Sequence, residues 1–181
     1  MLTLDERTET VEDKWADAPL PLVIQHLVRE HRSWRVKDFP MIEYLFDRLG
    51  GGRGPDQPFC LVSLRRAFYR LRTEMEGHMS REENILFPAI PGGQCDPAAS
   101  GKPAFGSLRN PIAMLQQDHR RDAYLLAEMR AAAGGYELPE AAADNLHVLF
   151  RELRALEAAM HAHTRVESSV LFARALQAEH D

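Results

Sequence analysis

An all-α fold, an up-down-up-down four-helix bundle, is predicted by three features of the sequence. Apolar residues recur with the period of about 3.6 residues that is typical of amphipathic helices. Glycine and proline residues divide this pattern into four long segments with short links, and no run has the alternating pattern of a strand. A pair of histidine-containing phrases also occurs twice along the chain, which indicates two similar halves.

The first two predicted helices lie in the N-terminal half of the chain. One spans residues 20–49, and Pro40 is expected to kink or split it because proline lacks a backbone N–H group. The glycine-rich residues 50–55 then form a loop. The second helix spans residues 58–87, and Pro88 is expected to end it.

The other two predicted helices follow an irregular stretch at residues 91–107. Asn110 is expected to cap the third helix, with Pro111 in its first turn, and the glycine pair at 134–135 is expected to end it. The fourth helix is predicted over residues 139–178, with a proline at its start. Short links make neighbouring helices antiparallel, which gives the up-down-up-down order.

Length, charge and hydropathy limit the classes of function. A chain of 181 residues with a net charge of −5 is expected to form one domain without a nucleic-acid partner. We predict a flexible leader at residues 1–19 and the bundle at residues 20–178. The leader is acidic and has no apolar core of a signal peptide, so a cytoplasmic location is expected, and no window of the sequence predicts a membrane span. The two cysteines, Cys60 and Cys95, do not indicate a disulfide framework.

The repeated phrases contain the candidate functional residues. Residues 78–87 (HMSREENILF) and 163–172 (HTRVESSVLF) share His-x-x-x-Glu and a final Leu-Phe. Residues 27–32 (LVREHR) and 115–120 (LQQDHR) share a leucine and an acidic residue before His-Arg. Together the two copies supply four imidazoles and two carboxylates: His31, His78, Glu82, His119, His163 and Glu167.

These six residues are expected to face the interior of the bundle at one level. Residues four apart share a helix face, so each His-x-x-x-Glu pair can point inward. Imidazole suits iron, zinc or copper, and carboxylates favour harder ions. Two carboxylates can bridge two ions at the separation of about 3.5–4 Å that is typical of two-metal sites. The pattern predicts a dinuclear metal site. The alternative is that the histidines are hydrogen-bonded core residues, but this would leave two buried carboxylates without a cationic partner, which costs several kcal/mol.

Other nearby residues are weaker candidates for a role in the site. Glu83 competes with Glu82 for the ligand position, but the second copy has Ser168 there, which favours Glu82. Glu74 and Asp118 are candidates for hydrogen-bond acceptors that orient an imidazole, although solvated surface carboxylates are the simpler interpretation. The remaining histidines are predicted to be structural or exposed: His26, His147, His161 and His180.

The chain resembles the hemerythrin-like (HHE) proteins over about residues 20–176, and most closely the di-iron proteins for repair of iron centres. The resemblance rests on EHR at 30–32, HMSREENILFPAI at 78–90, NPIAMLQQDH at 110–119 and HTRVESSVLFARA at 163–175. It implies a hemerythrin-like four-helix bundle around two iron ions with an oxo or hydroxo bridge. The implied terminal ligands are His31, His78, His119 and His163, and the implied bridges are Glu82 and Glu167.

The sequence departs from this family pattern in several places. Repair proteins usually carry a short N-terminal domain with a cysteine pair, and residues 1–20 contain no cysteine, so that domain is expected to be missing. Arg120 and Ala123 replace an acidic residue and a glycine of the third helix, and Ala173 replaces a proline. Oxygen-carrying hemerythrins use five histidines and a longer final spacing, which this chain lacks. The resemblance therefore favours repair over reversible oxygen carriage.

The function implied by the resemblance is that of a non-haem di-iron protein in nitrosative or oxidative stress defence. Such a protein repairs iron–sulfur centres or reduces or scavenges nitric oxide. The implied partners are nitric oxide or oxygen and damaged iron–sulfur proteins. The alternative is a hemerythrin-type sensor or carrier that binds oxygen or nitric oxide without turnover, and a metal-storage or structural bundle is a third hypothesis.

Overall fold

The computed structural model describes residues 11–50, 60–91, 106–138, 140 and 142–179. Within these ranges the chain is helical and contains no strand. None of the helices in the described ranges is long and apolar enough to cross a bilayer.

Several sequence predictions fall outside the described residues. They include most of the predicted loop at 50–55 and most of the irregular stretch at 91–107. The individual residues concerned are Pro58, Cys95, Pro139 and His180.

Four long helices, preceded by a short one, form the described part of the chain. The α-helical segments are α1 (Val11–Ala16), α2 (Leu20–Ser33), α3 (Phe39–Leu49), α4 (Leu61–Arg81), α5 (Phe87–Ala89), α6 (Arg109–Ala132), α7 (Asp144–Val166) and α8 (Phe172–Ala178). Three π-helical turns join consecutive segments: Trp34–Asp38, Glu82–Leu86 and Glu167–Leu171. The four long helices are therefore α2–α3, α4–α5, α6 and α7–α8.

Two apolar clusters fill the bundle, one on each side of its middle. The first cluster takes residues from α3, α4, the second half of α6 and α7, and includes the fully buried Phe39 and Phe68. The second cluster takes residues from α2, α5, the start of α6 and α8, and includes the buried Leu27 and Phe172. Each long helix passes from one cluster to the other, and consecutive helices do so in opposite directions. The predicted all-α, up-down-up-down four-helix bundle is confirmed.

The first long helix changes its helical type before Pro40 and does not break there. At the end of the first π turn, the N–H group of Phe39 donates to the carbonyl oxygen of Trp34, five residues earlier. A regular α-helix would bring the proline ring against the carbonyl group four residues earlier, and a wider turn makes room for it. The predicted kink or split at Pro40 is thus a π turn within a continuous helix.

The second long helix also continues through its proline. Pro88 lies within α5, directly after the second π turn, so the helix ends at Ala89 and not at Phe87 as predicted. The third π turn is followed by Ala173 at the matching position of the repeat. Proline is therefore not required for these turns.

The third and fourth long helices begin at other residues than predicted. α6 starts one residue before Asn110, which is not its cap. The N–H group of Leu108 instead donates to the Glu179 carboxylate at 2.8 Å. This acceptor lies near the other end of the chain, so no local pattern reveals it. α7 starts at Asp144 and not at residue 139.

A glycine pair follows the third long helix, as predicted. Gly134 and Gly135 have φ angles of 62° and 74°. Glycine adopts this left-handed conformation without the steric cost of a side chain, so the α-helical path ends here.

Part of the predicted leader is helical, because α1 lies within it. Trp15 packs on the second cluster and stacks on His26, with ring centroids 4.5 Å apart. Arg174 donates a hydrogen bond to the carbonyl oxygen of Ala18 at 2.6 Å, which ties this segment to the fourth long helix. The flexibility of residues 1–10, which lie outside the described residues, stays a prediction, as does the domain boundary at residue 20.

Leu71→Ala should lower the free energy of unfolding by about 2–5 kcal/mol, because it leaves a cavity in the first cluster, where Leu71 is fully buried. Val62→Ala on the same helix is the matched control. Val62 is 57% exposed, so its loss should change the free energy by no more than about 0.5 kcal/mol. Chemical denaturation of both variants measures the difference, and equal losses would contradict this core.

Candidate metal centre

Six polar side chains form a buried layer between the two apolar clusters. Every long helix contributes to this layer, which contains all six residues that the sequence singled out. Their exposed fractions are 0% for His31, 1% for His78, 0% for Glu82, 8% for His119, 2% for His163 and 0% for Glu167.

Each histidine–glutamate pair lies where an α-helix meets a π turn. The N–H group of Glu82 donates to the carbonyl oxygen of His78, and the N–H group of Glu167 donates to that of His163. This i to i+4 spacing puts both side chains of a pair on one helix face. The π turn begins at the glutamate in both copies, and π turns within α-helices occur frequently at functional sites.

The layer contains two overlapping groups of metal-binding side chains. Each group consists of two histidines and the same two glutamates, and its donor atoms lie within 4.8 Å of one another. The first group is His31, His163, Glu82 and Glu167, and the second group is His78, His119, Glu82 and Glu167. Because both carboxylates belong to both groups, their position suits two bridges between two ions.

The inner nitrogen, Nε2, of every histidine faces one of the shared carboxylates. Glu167 Oε1 lies 2.8 Å from His163 Nε2, and Glu167 Oε2 lies 2.9 Å from His119 Nε2. Glu82 repeats this arrangement with the other two histidines through its Oε2 atom, at 3.3 and 3.2 Å. Each glutamate therefore has one histidine of each group within 3.3 Å.

The two shared carboxylates have the properties expected of metal ligands. Among the described residues, no hydrogen-bond partner of suitable geometry reaches the carboxylate oxygens of Glu82 or Glu167. A buried carboxylate without compensation costs several kcal/mol. Imidazole nitrogen and carboxylate oxygen, without sulfur, form a donor set that suits iron and similar ions. The side chains of the layer therefore fit a pair of metal ions.

Charge pairing within the layer shifts the pKa of three of its members, His78, His163 and Glu167. Burial alone would lower the pKa of His163, but the negative charge of Glu167 raises it to about 10. Burial would likewise lower the pKa of His78, and the charge of Glu82 raises it well above its ordinary value. Burial would raise the pKa of Glu167, but the neighbouring imidazoles, His163 foremost, hold it well below its ordinary range. Metal binding by these imidazoles would therefore compete with proton binding.

The outer nitrogen, Nδ1, of each histidine in the first group meets a carboxylate. His31 Nδ1 lies 2.8 Å from Glu83 Oε1, and His163 Nδ1 lies 2.8 Å from Glu30 Oε2. Arg35 also donates to Glu83, at 2.7 Å. A carboxylate at Nδ1 fixes the tautomer that leaves Nε2 for a metal ion and makes the imidazole a stronger donor.

The outer nitrogens of the second group have weaker partners. The hydroxyl oxygen of Ser168 lies 3.3 Å from His119 Nδ1. Asp118 Oδ2 lies 3.9 Å from His78 Nδ1 and accepts hydrogen bonds of 2.7 and 3.0 Å from Arg81 instead. In the repeat, these two side chains match the two carboxylates that serve the first group.

Repeat-related phenylalanines cover one histidine of each group. The Phe87 ring stacks on His31 with centroids 6.0 Å apart, and the Phe172 ring stacks on His119 at 5.6 Å. Each phenylalanine donates the hydrogen bond that closes a π turn. The π turns therefore position both the glutamates and an aromatic wall of the layer.

The two copies differ at the position three residues after the first histidine of each. Trp34 occupies it in the first copy, and its ring lies 4.8 Å from the His163 ring, centroid to centroid. Asp122 occupies it in the second copy and is buried. Burial raises the pKa of Asp122 to about 6, against the opposing charges of nearby histidines.

A small cavity lies beside the layer, next to Asp122. Its volume is about 30 Å³, which is enough for a small molecule such as one or two waters. The wall includes Asp122 and three histidines of the layer: His78, His119 and His163. The apolar part of the wall consists of side chains that include Met75, Leu126 and Met160. The cavity therefore brings a small ligand within reach of both groups.

The other residues considered from the sequence lie outside the layer. Glu74 pairs with Arg121 at 3.0 Å on the surface, which agrees with the surface interpretation. The side chain of His161 is 48% exposed, His147 is exposed, and His26 stacks on Trp15. None of these three histidines belongs to either metal-binding group found among the described residues.

Sequence reasoning missed the residues that surround the six. Glu30 and Ser168 were not recognised as partners of the outer nitrogens, although the repeat contained a signal. In the repeat, Glu30 matches Asp118 and Ser168 matches Glu83, and both Asp118 and Glu83 are candidates from the sequence. Asp122 could have been found from its i+3 spacing to a candidate ligand.

The chain is similar to known proteins that bind cations or are named for iron–sulfur cluster repair. Residues 22–175 match the family model described as the hemerythrin HHE cation binding domain. Three relatives are each named "Iron-sulfur cluster repair protein YtfE", from Escherichia coli O1:K1, Escherichia coli strain SMS-3-5 and Escherichia fergusonii. Each is 25% identical over 171 residues, which cover 94% of this chain and 73% of the relative. Because the family model spans most of the chain, the chain belongs to the hemerythrin HHE cation-binding domain family.

Proposed function

We propose that the chain binds two iron ions in the buried layer and acts in defence against nitrosative or oxidative stress. The observation that carries this proposal is the pair of overlapping donor groups that share both glutamates. In the proposal, the terminal ligands are His31 and His163 for one ion and His78 and His119 for the other, and the bridges are Glu82 and Glu167.

The donor set supports iron over the other ions that imidazole suits. Each ion would receive two imidazoles and two carboxylates, and no sulfur atom belongs to either group found in the described part of the chain. Four donors complete the usual coordination of zinc, whereas a six-coordinate iron retains room for an oxo or hydroxo bridge and one further ligand.

A bound pair of ferrous ions supplies two electrons and an open position, which suits conversion of two nitric oxide molecules and two protons to nitrous oxide and water. The residues of this chain supply the setting for that chemistry. The apolar clusters keep bulk water away from the layer, and the small cavity beside Asp122 admits a diatomic molecule.

The repair of iron–sulfur centres is the role proposed from the relatives. Proteins named for iron–sulfur cluster repair align with 94% of this chain. We propose damaged iron–sulfur proteins as macromolecular partners and nitric oxide or oxygen as the small ligand. The cytoplasmic location predicted from the sequence stays a prediction.

Binding of nitric oxide or oxygen without turnover is the second candidate function. A cavity of about 30 Å³ favours it, because that space receives one diatomic molecule more readily than two. A sensor or carrier needs only one such molecule per site.

Glu82→Ala should reduce the iron content from two ions per chain to one or none, because the variant loses a bridge shared by both groups. Glu83→Ala is the matched control, and it should retain two ions when iron is in excess, because Glu83 contacts an outer nitrogen. Iron analysis of the purified variants measures the content. If Glu83→Ala loses iron and Glu82→Ala keeps it, the bridge has been assigned to the wrong carboxylate.

Removing the metal should lower the melting temperature by about 5–10 °C. The estimate follows from about 2.7 kcal/mol of stabilisation at a metal concentration one hundred times Kd, and from a shift of about 2–4 °C per kcal/mol for a chain of this size. Calorimetry before and after chelation measures the change. A Glu82→Ala, Glu167→Ala double variant is the control, and chelator should not shift its melting temperature.

The anaerobic di-ferrous protein should consume nitric oxide. Asp122→Leu should slow this reaction by about tenfold or more, because the larger apolar side chain fills the cavity. A tenfold slower rate corresponds to about 1.4 kcal/mol in the activation free energy. Tyr124→Leu on the same helix is the control, since Tyr124 is 67% exposed. A nitric oxide electrode and gas analysis follow consumption and nitrous oxide release.

The products of this reaction separate the two candidate functions. Consumption with nitrous oxide release supports reduction, and consumption of one equivalent without release supports the sensor or carrier. Absence of any reaction in protein that contains two irons would contradict both.

A further inference from the structure

The two halves of the metal layer are related by the internal repeat, but they are chemically unequal. The repeat gives both groups the same inner donors, two Nε2 atoms and two shared carboxylates. The side chains that surround those donors differ in charge and in size. These surroundings therefore distinguish the two metal positions.

Charge at the outer nitrogens is the first difference. Both first-group histidines have a carboxylate oxygen 2.8 Å from Nδ1. In the second group, a neutral hydroxyl lies 3.3 Å from His119 Nδ1, and the nearest carboxylate oxygen lies 3.9 Å from His78 Nδ1. A carboxylate at this place commonly changes the affinity of a metal site by about 10–100-fold. The first group therefore has the stronger donors.

Access is the second difference, and it does not depend on the first. The Trp34 ring packs against both histidines of the first group, with centroids 6.0 Å from His31 and 4.8 Å from His163. The matching Asp122 is smaller, and the cavity lies beside it. Both second-group histidines line this cavity, whereas His163 alone does so from the first group, and His119 is the most exposed of the six layer residues, at 8%.

We propose that the two metal positions are inequivalent: the His31–His163 position holds its ion tightly, and the His78–His119 position is the exchangeable one. The proposal rests on the two-ion centre proposed above and adds to it an order of loading and release. The exchangeable position is also the one with both of its histidines at the cavity, so a small ligand has more direct access to it.

Release of iron from the intact two-iron protein tests this inequivalence. Excess of a chelator whose iron(II) complex is coloured should remove iron in two phases of one ion per chain, with rates that differ by about tenfold or more. Starting from the loaded protein keeps the fold intact while the first ion leaves, and circular dichroism monitors that fold during the experiment.

Two pairs of variants assign the phases to positions without changing any of the six ligands. Ser168→Glu supplies the carboxylate that the second group lacks, and it should slow the fast phase by about tenfold. Ser169→Glu adds the same charge at a neighbouring exposed position and should leave both rates unchanged. Glu83→Gln removes a carboxylate from the first group and should accelerate only the slow phase, whereas Glu76→Gln, at an exposed side chain, should not.

The outcomes separate this inference from the proposed function. Two irons that leave wild-type protein in one phase would overturn the inequivalence and leave the two-iron centre intact. An equal effect of Ser168→Glu and Ser169→Glu, or a Glu83→Gln effect confined to the fast phase, would also overturn it. Protein that never holds more than one iron would instead overturn the proposed function.

Discussion

Two fully buried carboxylates, Glu82 and Glu167, impose the constraint on which the rest of the structure depends. They lie between two apolar clusters, where an ionised carboxylate is costly unless positive charge surrounds it. Four imidazoles adjoin these carboxylates, one from each long helix, and three of them, His163 foremost, hold the pKa of Glu167 well below its ordinary range despite burial. Because protons on the imidazoles and bound metal ions are alternative sources of positive charge, stability and metal binding of this layer are linked.

The π turns near the layer position both its glutamates and the phenylalanines that cover its histidines. Each of the two turns near the layer begins at a glutamate, which shares a helix face with the histidine four residues earlier. Each is followed by a phenylalanine, Phe87 or Phe172, whose ring stacks on a histidine of another long helix. The extra residue of a π turn changes the direction of the side chains that follow, which allows one helix to present a charged group and then an apolar wall to the same interior.

The sequence predicted the architecture well because the apolar period and the positions of glycine and proline determine the local backbone conformation. The six layer residues could be selected because the repeat identified the same pattern twice, and the duplicated position chose Glu82 over Glu83. Features that depend on distant contacts could not be predicted. The start of α6 depends on Glu179, about seventy residues away along the chain, and the π turns accommodate proline in two cases and form without it in the third.

The internal repeat accounts for the symmetry of the layer, and the positions at which its two copies differ account for the departures from symmetry. The inner donors of both halves are constrained together, since each carboxylate contacts one histidine of each group. The outer side chains Glu30, Glu83 and Trp34 contact layer histidines of the first group only, so a change there affects one half alone. Glu83 differs from the matching Ser168 in this way, and Trp34 from Asp122, while all six inner residues keep their type. Because the inner ligands are shared and the surrounding side chains are not, the two positions can differ in metal affinity and in access while both still bind a metal ion.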